Sequence, residues 1–71
     1  MQIQFTEHAR QRMKERKVQA EDVYLVLAGP DGLRYGEDGE IIASKILGRR
    51  TIEIVYIEMD DIQRVITVMV M

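Results

Sequence analysis

Cysteine is absent from this 71-residue chain, so neither a disulfide nor a thiolate-bound metal can hold it together. Histidine occurs once, as His8, which leaves no donor set for a structural zinc site. Tryptophan is missing and the aromatics are few (Phe5, Tyr24, Tyr35, Tyr56), so stacking on single-stranded nucleic acid is poorly served. No apolar run approaches the ~20 residues of a membrane-spanning helix. The opening Met1-Gln2-Ile3-Gln4-Phe5 meets charge soon after, unlike an export signal, so a cytoplasmic location away from membranes is expected. No Gly-rich loop leads from a strand into a helix, and Glu37-Asp38-Gly39-Glu40 is too short for a calcium loop. No cofactor or metal is therefore expected. Residues 1–71 read as a single domain. A domain of this size buries only about 60% of the surface its unfolded chain exposes. Its core supplies no more than ~3–5 kcal/mol, which makes either tight packing or association necessary.

What is present is unevenly charged. Residues 1–20 hold five cations against two acids, whereas residues 21–71 hold five cations against ten. An anionic partner would thus meet the opening segment or the Arg49-Arg50 turn, not the molecule as a whole. Thr6 stands before good helix formers as an N-cap and predicts a helix over residues 6–17, docked through Ala9 and Met13. A second helix runs from Ala20 to Ala28, favoured by Glu21 and Asp22 at its N-terminus and stopped by Gly29-Pro30. Beyond it the hydrophobic period becomes two. Strands are expected at Leu33–Tyr35, Ile41–Leu47, Thr51–Met59 and Gln63–Val70, with turns at Glu37–Glu40, Gly48-Arg49-Arg50 and Asp60-Asp61. The fold class is α+β, with two N-terminal helices packed on a three- or four-stranded antiparallel meander. A symmetric hairpin through Gly48-Arg49-Arg50 puts Ile42, Ser44 and Ile46 beside Ile52, Ile54 and Tyr56 under the helices. Ala43, Lys45, Thr51, Glu53, Val55 and Ile57 then form the opposite face, while the side taken by Thr67 stays open.

The residues Phe5-Thr6-Glu7-His8-Ala9, Arg12-Met13 and Arg16 form the pattern F-T-x-H-A-x-x-R-M-x-x-R. With Val23, Val26, Leu27, Pro30, the Tyr56 strand and Val65-Ile66-Thr67-Val68, the chain resembles a small bacterial family of unknown function. Its layout is similar to the RelE/ParE toxin fold of the barnase–EndoU–colicin–RelE ribonucleases. The chain departs from the pattern where Val18-Gln19 replaces an Ile-Ser helix cap. The resemblance implies a RelE-like, toxin-type endoribonuclease that works without a metal. The partners it implies are RNA or the ribosome and an antitoxin protein.

The residues allow that chemistry. Histidine is the side chain best suited to proton transfer near neutral pH, and His8, Arg12 and Arg16 lie one helical turn apart on a single stripe. Guanidinium forks bind phosphate oxygens bidentately. Lys45 would add to the cationic lining, Thr67 would supply a hydroxyl, and Arg49 and Arg50 would contact RNA. Each residue also has a plainer use. His8 would hydrogen-bond a neighbouring strand, Arg12 and Arg16 would pair with Glu15, Asp22 or Glu53, and Thr67 would serve as a β-former. The competing function is a non-catalytic interaction module, or a degenerate toxin fold, that forms a homodimer through an edge strand at Val65–Met71.

Overall fold

A computed structural model describes residues 2–71. In chain order the elements are β1 (Gln2–Phe5), α1 (Glu7–Arg16), α2 (Ala20–Ala28), β2 (Gly32–Tyr35), β3 (Ile41–Leu47), β4 (Arg50–Met59) and β5 (Ile62–Val70). The Thr6 hydroxyl accepts the Ala9 N–H at 3.1 Å and caps α1. Lys17 ends that helix in the left-handed region (φ 56°). Its N–H reaches the Lys14 carbonyl and the Val18 N–H reaches that of Met13, the paired pattern of a Schellman stop. Val18 is then buried against the same core as Met13, which locks the turn into α2. At the start of α2 the Asp22 carboxylate accepts the Gln19 N–H at 2.9 Å, so an acid inside the helix serves where the preceding glutamine is a weak cap.

The five strands form one mixed sheet in the order β1-β5-β4-β3-β2. Two expectations are corrected here. The sheet has five strands rather than three or four, and it is not purely antiparallel, because β1 runs parallel to β5 with Ile3 opposite Gln63 and Phe5 opposite Val65. The C-terminal strand, expected as an edge at Val65–Met71, has neighbours on both sides over Ile62–Val65, while beyond Val65 β4 is its one strand neighbour among the described residues. β1 and β2 are the outer strands.

Another correction concerns facing. The β3–β4 loop holds only Gly48 and Arg49, with Leu47 opposite Arg50 and Ala43 opposite Ile54. Gly48 takes φ +65°, the left-handed first position of a two-residue hairpin loop. A loop one residue shorter than expected slides β3 by one place and turns every side chain over. Ala43 therefore goes into the core, whereas Ile42, Ser44 and Ile46 share the other face with Thr51, Glu53, Val55 and Ile57. Between Val55 and Tyr56 the β4–β5 register shifts by one residue, leaving Ile66 as the extra residue of β5. The bulge keeps Val65 and Val68 on the core side of the sheet, and Thr67 opposite Val55 on the other.

The core lies between the helices and one face of this sheet. Ala9, Val18, Val23 and Val26 meet Ala43, Ile52, Ile54, Tyr56, Val65 and Val68, all buried. Both helices share that side. The exposed halves of two inner strands are closed by side chains: the Thr6 hydroxyl donates to the Ile66 carbonyl at 3.1 Å, and the Asp31 carboxylate accepts the Ile46 N–H at 2.9 Å. Such caps remove backbone groups that would otherwise invite another strand.

Candidate functional site

The predicted cationic site divides into three places. On the outside of α1, the Arg12 Nε donates to His8 Nε2 at 3.5 Å, the outer limit of a hydrogen bond. Both side chains project from the helix one turn apart, as their spacing requires. Arg12 also holds Glu15 at 3.2 Å, a pair exposed on both sides. Arg16 follows one turn on, exposed, and its guanidinium makes no ion pair or hydrogen bond among the described residues. His8 is exposed and its contact is to Arg12, not to a neighbouring strand.

The second place is the junction of the two helices with the sheet. Arg50 belongs to β4, not to a turn, and projects toward the helices. It donates to the backbone carbonyls of Arg16 and Lys17 at 3.2 and 3.0 Å, and lies 3.6 Å from Asp22. One guanidinium thus closes the carbonyl end of α1 and approaches the acid at the start of α2. Lys45 reaches the other end of α2, donating to the Gly29 carbonyl at 2.7 Å and lying 3.6 Å from Asp31. The hydrogen bond from Ile46, helped by the Lys45 charge, holds the Asp31 carboxyl below the usual carboxylate range. These two cations are spent on helix termini.

The third place is the sheet face that carries no helix, where Thr67 lies. Arg49 stands apart in the β3–β4 loop. The structure thus brings His8 and Arg12 together, sets Arg16 beyond them, and leaves Lys45, Arg49, Arg50 and Thr67 elsewhere. No group of three or more histidine and acidic side chains among the described residues is placed to hold a metal ion.

The helix-free face carries the feature that sequence reasoning did not find. At its centre Glu53 is almost buried, its carboxylate 3.0 Å from Arg34 Nη2, with side-chain exposures of 12% and 65% respectively. Ser44 and Met69 flank Glu53 on the neighbouring strands. Around the pair lie Ile42, Ile46, Val55, Ile57 and Met69, none of them part of the core and with no helix above them. Ile46 is 64% exposed. Only the observed strand register brings Arg34 within reach of Glu53, since their separation of 19 residues has no local signature.

A family model described as Domain of unknown function (DUF4258) matches residues 5–70. No curated protein and no solved structure matches the chain.

Proposed function

The chain belongs to the family described as Domain of unknown function (DUF4258), and we propose that it is a non-catalytic protein-interaction module, docking through the helix-free face of its sheet. The observation that carries this reading is that face itself: an open sheet surface with apolar side chains around a neutral Arg34–Glu53 pair at its centre and a polar β1 side, over which no other element folds among the described residues. Contiguous uncovered apolar surface of this kind marks contact sites in soluble proteins. The cations that would have formed a phosphate-binding hollow support the same reading by their dispersal, since Lys45 and Arg50 satisfy helix carbonyls and Arg12 holds Glu15.

The test is a photo-crosslinking amino acid placed at Val55 on the open face, and separately at the exposed Glu21 of α2, in the producing cell. Discrete protein adducts from Val55 and none from Glu21 are expected. Adducts from neither position, or from Glu21 alone, would overturn the reading.

A second reading is favoured by one observation, the His8–Arg12 contact on the exposed flank of α1, which no structural duty explains. On this reading the protein is a metal-independent, RelE-like endoribonuclease, with the imidazole transferring a proton and Arg12 and Arg16 facing the phosphate. Induced expression would then arrest growth and purified protein would cut total RNA, both effects relieved by His8→Ala with Arg12→Ala. Unaffected growth and intact RNA decide for the interaction module.

A further inference from the structure

We infer that the partner covering the helix-free face is a second copy of this chain, packed sheet on sheet; this rests on the interaction-module reading. Two sheet faces pack about 10 Å apart with their strands some 30° off parallel, and each must be broad, apolar and free of projecting elements. The face is free of projecting elements across β2–β5, and its apolar part is the middle, Ile42, Ile46, Val55, Ile57 and Met69, while Gln2, Gln4 and Arg64 make the β1 side polar.

The Cα framework measures 32 × 24 × 23 Å. The full five-stranded breadth, roughly 24 by 25 Å, sets an upper bound of about 600 Å² per copy, or ~1,200 Å² for the pair, at the lower end of stable interfaces. A smaller patch, such as the short outer edge of β2, falls well below this.

Charge then selects among occupants. The central carboxylate of the face is already neutralised by Arg34 at 3.0 Å, so an identical face meets no unpaired charge there. Two-fold symmetry requires a surface complementary to itself, and a neutral apolar centre is such a surface. An acidic or basic partner would find no matching excess at that centre. Besides Arg34 the face carries one further cation among the described residues, Arg64, three strands away from Arg34 and beside Gln4, whereas the cations of residues 1–20 lie on α1 and its flanks, on the far side of the sheet. Association also answers the small core, because it would cover both faces of β3, β4 and β5.

Sedimentation equilibrium on the full purified chain, from micromolar to submillimolar concentration, tests this. A species of twice 8.3 kDa is expected for the wild type. Val55→Lys, which sets a charge in the interface centre, is expected to weaken self-association at least tenfold. Ile46→Lys, at a position already largely exposed and thus safe for folding, is expected to weaken it several-fold. Leu33→Lys, on the helix side of β2, should leave the dimer unchanged. Far-UV circular dichroism confirms that each variant is folded. A wild type that stays at 8.3 kDa throughout, or a dimer indifferent to both Val55→Lys and Ile46→Lys, overturns the inference. The crosslinking at Val55 separates the two levels. Adducts to a different protein, with a monomeric purified chain, sink the second copy and keep the module. Adducts absent altogether sink both.

Discussion

Thr6 shows how much one hydroxyl can do. It accepts from Ala9 to start α1 and donates to the carbonyl of Ile66 at the bulge, joining the ends of the sequence. Replacing Thr6 by Val keeps the shape and removes both bonds, so a loss of about 1–3 kcal/mol is expected in urea denaturation, with Thr6→Ser retaining most of the stability. This explains a good part of the motif that suggested a nuclease. Phe5 pairs with Val65, Thr6 caps, Ala9 is buried and Met13 packs on the core, all of which a fold requires. Asp31 gives a residue-scale pH effect. Its folded-state carboxyl is held below the ordinary value, so its contribution is complete above the unfolded value and is lost as pH falls through the folded one. Thermal melts across the acid range are expected to fall less steeply for Asp31→Asn than for the wild type, the variant being the less stable near neutrality.

At the level of elements, α1 ends on a residue poorly suited to its backbone. Lys17 sits at φ 56°, where glycine pays no steric penalty. Lys17→Gly is expected to stabilise the protein by about 0.5–1 kcal/mol, read as a raised urea midpoint with an unchanged slope. Legibility from sequence follows the range of the interaction that decides each element. α2 was readable to its boundaries and β3 likewise, because turn chemistry and periodicity are local. β1 was missed, since Gln2–Phe5 is a strand only by virtue of a partner 60 residues away. The facing of β3 turned on a single residue of loop length, which composition does not specify. Thr67 depended on a bulge at its neighbour. Among the candidate site residues, the His8–Arg12 contact was legible from helical spacing. The destinations of Lys45 and Arg50 were not, because each reaches a helix end that only the tertiary fold brings near.

On the scale of the molecule, a single core of ten buried apolar residues among the described ones leaves little reserve. Ile54 is fully buried at its centre, and Ile54→Ala costs ~2–5 kcal/mol against a reserve of the same order. Loss of the cooperative thermal transition by circular dichroism is expected for that variant, whereas Ile52→Val, at ~0.5–1.5 kcal/mol, should remain folded. The parallel pairing of β1 with β5 has a temporal consequence. During vectorial synthesis β1 emerges well before its hydrogen-bonding neighbour, the segment Ile62–Val65. Until that segment has left the exit tunnel, β1 waits unpaired and the sheet cannot close, so the native topology forms only after about 60 further residues have been made.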